Sequence, residues 1–415
     1  MAITVFHVTS SAHANSPATR LVDAERRYGK SLHPVLLARK LEDVEGEVLC
    51  RSLWQELLDR LDRAKEKALM SSFSDRRLDL PLTSCQYGKR FHVSQLNRSD
   101  LIHLHWIAGR TIDVETLAGI KRPMAYTLHD CWPFTAACHC PFDCEGYMER
   151  CVSCPQLGES NHTSNGGSLF FEYKKKWLDR IESLTVITPS QWLRERAARS
   201  PMFSNRRVEC IFNPVDTEVF RPGGKDEARQ RWGISQEATV LCFGCADINS
   251  SYKGGDLIGP LLERLHEKGI KNLHLLVFGG GSLEGVCYPY PCTHTGTLRD
   301  ASDVASVYRA SDLLLNPSKQ DVFSYVTAES QACGIPCVAF TTGGIPEVAL
   351  HGRTGLISPQ FDLDDMADNL RFLIEHGDIR ESMGYDAREQ AVQRFSYAVI
   401  AARHEELYQQ MRQPI

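Results

Sequence analysis

The sequence predicts an α/β protein built from two doubly wound, parallel-sheet domains. Three observations lead there. The chain has 415 residues, more than the ~250–300 that a single hydrophobic core usually serves. Short apolar runs alternate with longer amphipathic stretches, the rhythm of repeated β-α-β units. That rhythm breaks at the stretch opening on Phe212, "FNPVDTEVFRPGGKDEARQRWG", which carries two prolines, a Gly-Gly pair and dense charge, the composition of a linker. The domains are therefore expected at 1–215 and 216–395. The amphipathic tail 396–415 is expected to pack back on the first.

Strands of the first domain are expected at 3–8, 101–106, 124–130 and 184–190, and those of the second at 238–244, 273–281, 312–318 and 335–340. Several are almost continuously apolar, as parallel strands covered on both faces should be. Helical patterns lie between them, clearest at 300–310 and 362–376. Hydrophobic residues make up 42% and charged residues 24% of the chain, ordinary for a globular protein. The net charge of −5 resides in the C-terminal half, while residues 1–220 are close to balanced. No concentrated basic face marks a nucleic-acid binder. The N-terminus has no basic lead and its apolar run is too short for a signal peptide or a span, so a cytoplasmic protein is expected. Fifteen cysteines, an odd number spread along the chain, fit reduced thiols better than a disulfide framework.

Open parallel sheets bind ligands beyond the carboxyl ends of their strands. That directs attention to His129-Asp130, to the turn at Gly279-Gly280-Gly281 and to the link 319–321. In "DVFSYVTAES" two acids are spaced Asp321-x7-Glu329. A helix running from Asp321 would set them ~12 Å apart at ~1.5 Å per residue. That is the span between the hexose and the ribose of a sugar nucleotide. The helix N-terminus suits the diphosphate between them, and carboxylate oxygens accept from hydroxyls. The bland reading is an N-cap and a solvated helix position.

This stretch, followed by "SQACGIPCVAF", resembles the E-x7-E region of family 4 glycosyltransferases. Other segments resemble that family in the same order: "TPSQWLRERA" (188–197), "CIFNPVDTEVFRP" (210–222), "FGCADINSSYKGGDLI" (243–258), "GTLRDASDVASVYRASDLLLNPS" (296–318) and "GGIPEVALHGRTGLI" (343–357). Each alone is weak; six in order are specific. The resemblance implies the GT-B fold, two Rossmann-like domains facing a cleft, and retaining transfer of a hexose from a UDP- or GDP-sugar. It implies Lys253 on the donor diphosphate in the loop after Gly244, and Glu329 on the ribose. Asp321, with the backbone N–H groups of Phe323 and Ser324, would serve the donor sugar. His129 would face the reacting sugar, making His129, Asp321 and Glu329 the catalytic candidates. No catalytic metal is expected. The chain departs from the family at Asp321, where a glutamate is usual, at Cys245, where an arginine often follows the glycine, and in "TSSAHANSPATRL" (9–21), which lacks a glycine pair.

Residues 129–158, "HDCWPFTAACHCPFDCEGYMERCVSCPQLG", hold six cysteines. Cys138, Cys144, Cys151 and Cys154 form a four-thiol set ending in C-x2-C, suited to a tetrahedral structural zinc. Disulfides and plain reduced thiols are the alternatives. The segment resembles one in the colanic-acid and exopolysaccharide branch of the same family, which implies a glycan or polyprenyl-linked acceptor. "LFFEYKKKWLDRI" (169–181) reads either as a membrane-surface helix at the inner face or as a solvated helix with a buried stripe. His103 and His105, alternating on a strand, point to one side. The resulting expectation is a glycosyltransferase of cell-surface polysaccharide synthesis. Its rivals are a synthase of a small disaccharide and a GT-B scaffold that has lost donor binding.

Overall fold

The computed structural model describes residues 2–49, 93–108, 111–158, 166–284 and 287–412, with isolated residues between 60 and 82. The chain divides into two units, 1–211 with 401–415, and 212–400.

The first unit holds seven parallel strands: β1 (Ile3–Ala12), β2 (Leu32–Leu41), β3 (Glu47–Val48), β4 (Leu101–Leu104), β5 (Met124–Thr127), β6 (Leu184–Thr188) and β7 (Arg207–Cys210). Their order is β3-β2-β1-β4-β5-β6-β7. The central strands β4, β5 and β6 are buried along their whole length. Helix α1 (Pro17–Tyr28) follows β1. Ser16 caps it by accepting the Thr19 N–H, and Pro17 occupies its first turn, where a missing N–H costs nothing. Its Ala18 and Val22 pack with Leu36 and Ala38 of β2.

Helix α2 (Gly166–Leu178) contains the aromatic and lysine run. Phe170, Phe171 and Lys174 are buried. The Lys174 Nζ donates to the Trp132 carbonyl and lies 3.8 Å from that indole's centroid. Phe170 and Phe171 thus belong to the core, while Leu169 is exposed. Among the described residues, no helix is long and apolar enough to cross a membrane.

The second unit holds β8 (Thr239–Asp247), β9 (Leu273–Gly280), β10 (Cys292–His294), β11 (Leu313–Asn316), β12 (Cys337–Phe340) and β13 (Gly355–Ser358). They are parallel, in the order β10-β9-β8-β11-β12-β13. Alternate residues feed the two faces, as the strand period requires. Val240, Cys242, Leu314 and Ala339 join Tyr308, Phe323 and Phe395 in one core layer. Leu241, Phe243, Leu315 and Val338 join Leu261, Leu265 and Leu370 in the other. Helix α3 (Ala301–Ala310) is capped by Asp300, and a further helix, Leu363–Glu375, by Asp362.

Helix α4 (Tyr325–Ala332) begins later than the sequence suggested. Asp321 lies outside it, in a turn closed by Ser324, whose φ of +68° is left-handed. Such a conformation is costly for a residue with a Cβ. The Ser324 hydroxyl, bonded to Asn316 Nδ2 (2.8 Å) and Thr327 Oγ1 (2.9 Å), holds it there. The last helix, α5 (Tyr397–Met411), belongs to the first unit from Ala401 onward. There Glu405 accepts from the backbone N–H groups of Lys30 and Ser31. Both sheets reverse their strand order at one point, between β1 and β4 and between β8 and β11. In open α/β sheets that switch point is where ligands bind.

Candidate active site

In the second unit, the loops after β8 and β11 leave the sheet side by side at the switch point. The Lys319 N–H donates to the Tyr252 carbonyl (2.9 Å), tying the two loops together. This brings Lys253 to Asp321, with Nζ 2.7 Å from Oδ2. The Asp321 Oδ1 accepts from the backbone N–H groups of Phe323 (3.2 Å) and Ser324 (3.0 Å). Burial alone would raise the Asp321 pKa. The Lys253 charge and these hydrogen bonds win, and the carboxyl sits below its ordinary value. Two corrections follow. Asp321 does not start the helix, and the Phe323 and Ser324 N–H groups are spent on Asp321 itself rather than presented to a ligand.

Glu329 sits in α4, 3% exposed, and its Oε2 accepts from the Tyr308 hydroxyl (3.0 Å) of α3. Burial, and then the Glu329 charge, push the Tyr308 pKa well above its ordinary value, so this phenol remains a donor. Gly244 has a packing reason: a Cβ there would lie 2.1 Å from the Phe278 ring. Cys245 stands beside Lys253, whose charge pulls its thiol down against burial, leaving the pKa at about 11.

Two glycines let these loops close. A Cβ on Gly254 (φ +76°) would lie 2.1 Å from the Pro317 carbonyl oxygen, and one on Gly343 (φ +58°) 1.9 Å from that of Asp321. Gly254→Ala is expected to push the Lys253 loop off the β11 loop and to cost roughly 1–3 kcal/mol of stability. Urea denaturation checks this, and an unchanged midpoint would show that the loops do not need this close approach.

In the first unit, the switch point between β1 and β4 is lined by histidines. His7 of β1 pairs in register with His103 of β4, and His105 and His129 follow β4 and β5. The first three are buried, and one ring nitrogen from each lies within 4.8 Å of the others. His7 bonds Glu25 of α1 (2.8 Å) and His105 (3.0 Å). His105 also bonds His129 (3.0 Å). Burial lowers the His129 pKa to about 4, against the pull of Asp130. Burial, and then the neighbouring histidines, also lower His103 and His105 well below the usual value. The sequence flagged His103, His105 and His129. It missed His7, Glu25 and Tyr408, which only the topology brings to the same place.

Asp130 ties this edge to the cysteine loop. It accepts from the Trp106 indole (2.7 Å), His139 Nδ1 (2.7 Å) and the Trp132 N–H (2.8 Å). Burial would raise its pKa, but His139 and these donors bring it below the ordinary value. None of Cys138, Cys144, Cys151 and Cys154 is in a disulfide. Burial raises the Cys138 pKa well above normal, with Cys154, Cys151 and Cys144 adding to it. Burial pushes Cys151 to about 12.

Residues 237–376 match the family model described as glycosyl transferases group 1. The chain is 32% identical over 210 residues to a D-inositol 3-phosphate glycosyltransferase of Kribbella flavida, covering 47% of this chain and 49% of that one. It is 26% identical over 216 residues to an N-acetyl-alpha-D-glucosaminyl L-malate synthase of Bacillus anthracis, covering 49% and 54%. It thus spans about half the length of the curated relatives it matches. Over 98% of this chain and all of the other, it resembles the structure of HepE from Anabaena solved with UDP-glucose, at 17% identity and a TM-score of 0.65. At that identity the likeness is one of fold. The two Rossmann-like parallel sheets share the fold of the glycosyltransferase structures they resemble, and the match to the group 1 model falls in the second unit.

Proposed function

We propose that this chain is a retaining hexosyltransferase, moving a hexose from a nucleoside diphosphate sugar to a hydroxyl of a glycan or polyprenyl-linked acceptor in surface polysaccharide synthesis. The observation that carries the reading is the Lys253–Asp321 pair at the switch point of the sheet that matches group 1. Lys253 supplies positive charge where the diphosphate leaves. An oxocarbenium-like transition state builds charge on that leaving group, and a fixed cation there lowers the barrier. Asp321 holds the ammonium in place. Glu329, oriented by Tyr308, accepts the ribose hydroxyls. The departing phosphate takes the acceptor's proton. HepE's complex with UDP-glucose makes UDP-glucose the first donor to try. The odd number of cysteines spread along the chain favours a reducing, cytoplasmic location.

A second reading has a small hydroxylated acceptor. It is favoured by the activities named for the Kribbella and Bacillus relatives. Both readings predict slow hydrolysis of the donor when no acceptor is present. Proton NMR of UDP-glucose with the protein is expected to show α-glucose as the first free sugar. β-Glucose appearing first would overturn the retaining assignment. A folded protein inert toward UDP- and GDP-sugars alike would favour the non-catalytic scaffold.

The four loop cysteines are proposed as a structural zinc set, although among the described residues their sulfurs are not gathered within 4.8 Å of one another as the ring nitrogens of His7, His103 and His105 are, so zinc would have to draw them together. Zinc binds thiolates, and a bound cation removes the penalty that burial places on them. Purified protein is expected to hold about one zinc per chain by elemental analysis, lost together with thermal stability in Cys151→Ser. Zinc-free protein with the same melting temperature would dismiss it.

A further inference from the structure

The buried histidines form a connected chain whose proton positions are fixed from one end. A carboxylate can only accept, so Glu25 Oε2 takes the proton of His7 Nε2 (2.8 Å). Taken as the neutral ring, His7 has a single N–H, spent on Glu25, and its Nδ1 accepts from His105 Nε2 (3.0 Å). His105 Nδ1 must then accept from His129 Nε2 (3.0 Å). His129 Nδ1 is left as a bare lone pair, and it is buried without a protein partner among the described residues. A branch from the same carboxylate closes consistently. Tyr408 donates to Glu25 Oε1 (2.9 Å) and so accepts from His103 Nδ1 (2.6 Å), while His103 Nε2 accepts from Thr127 Oγ1 (2.7 Å).

We infer that Glu25 sets the tautomer of His129 through His7 and His105, so that Nδ1 is presented as an acceptor for a sugar hydroxyl. The sugar in that statement rests on the function proposed above; the tautomer does not. Glu25, His7 and His105 are positioning residues. Three facts support the chain. Every ring nitrogen of His7, His103 and His105 already serves a hydrogen bond. Burial keeps His105 and His129 neutral at pH 7. Tyr408, the other partner of Glu25, is a phenol that burial keeps protonated, so it too can only donate to that carboxylate. The consequence is selectivity. An imidazole locked with Nδ1 bare rewards a hydroxyl and leaves a deoxy analogue without that bond. The loss is roughly tenfold or more in kcat/KM, because the buried acceptor goes unpaired.

Long-range proton–nitrogen NMR of the full chain labelled with 15N-histidine, assigned by single substitutions, tests this. His7, His105 and His129 are expected to carry their proton on Nε2, and His103 on Nδ1. In Glu25→Gln the amide can accept or donate, so His129 is expected to divide between both tautomers. Donor hydrolysis should then fall roughly tenfold in kcat/KM with UDP affinity unchanged. Tyr408→Phe removes a neighbour equally buried but off the path, and should leave the His129 tautomer as it was. Native His129 protonated on Nδ1, an unchanged His129 tautomer in Glu25→Gln, or metal-shifted resonances of His7, His103 and His105 would each overturn the inference. The native tautomers are read even if no variant folds. The expected tautomers in a protein that turns over no nucleotide sugar would sink the functional reading alone.

Discussion

Lys253→Ala is expected to lower the kcat/KM of donor turnover by roughly 10²–10³-fold, the usual effect of deleting one fixed donor to a developing negative charge. The argument is local. Lys253 is the cation at the end of β8, held 2.7 Å from Asp321, in the segment matching group 1. Its loss also strips Asp321 of its strongest partner, leaving a buried carboxyl with only the Phe323 and Ser324 N–H groups. The Asp321 pKa should rise toward or past its ordinary value, since burial then acts with less opposition. Lys253→Arg keeps the charge but changes a point cation into a planar fork, and should recover part of the activity. Turnover unchanged in Lys253→Ala, measured as UDP release, would show that the diphosphate is met elsewhere.

Acid should destabilise the first unit well before its carboxylates titrate. His129 has a folded pKa of about 4 against an ordinary 6.5, with burial as the main cause. The unfolded chain therefore binds a proton first as pH falls. Stability is full above about pH 6.5 and is lost progressively down to about pH 4. At pH 5 His129 alone has cost about 2 kcal/mol. His103 and His105 are shifted in the same direction and add to the loss. Asp130, whose pKa is lowered, acts in the same sense only below its ordinary range. Trp106, Trp132, Trp177 and Trp192 lie in this unit and Trp232 in the second, so tryptophan fluorescence of a Trp232→Phe background in urea reports on the first. The midpoint should drop steadily between pH 7.5 and 5. A midpoint flat over that range would mean that the histidines are not held neutral by the fold.

The central strands and the cores were legible from sequence because both faces of a central parallel strand are covered. Runs such as "LHLLVF" in β9 and "LTVIT" in β6 announce themselves. The edges were not. β2 carries Pro34, Arg39 and Lys40, β7 is "RVEC" and β10 is "CTH". Strands at or near a sheet edge meet solvent and are written in polar residues. The start of α4 was misjudged because Asp321, read as a helix cap, caps a turn instead and spends itself on Lys253. Asp321, Glu329 and Lys253 were found by motif and spacing. Their pairing, and the Tyr308–Glu329 bond, depend on which strands are neighbours. The same is true of the chain from Glu25 to His129. Its members come from α1, β1 and the ends of β4 and β5, and no spacing along the sequence connects them.

The most direct measurement is calorimetric titration of the full chain with UDP, GDP and their common hexose conjugates, with Lys253→Ala and Glu329→Ala alongside. The account predicts saturable binding of one nucleotide, UDP first, weakened in both variants while their melting temperatures show them folded. No binding of any nucleotide by folded native protein, or equal binding by both variants, would contradict it.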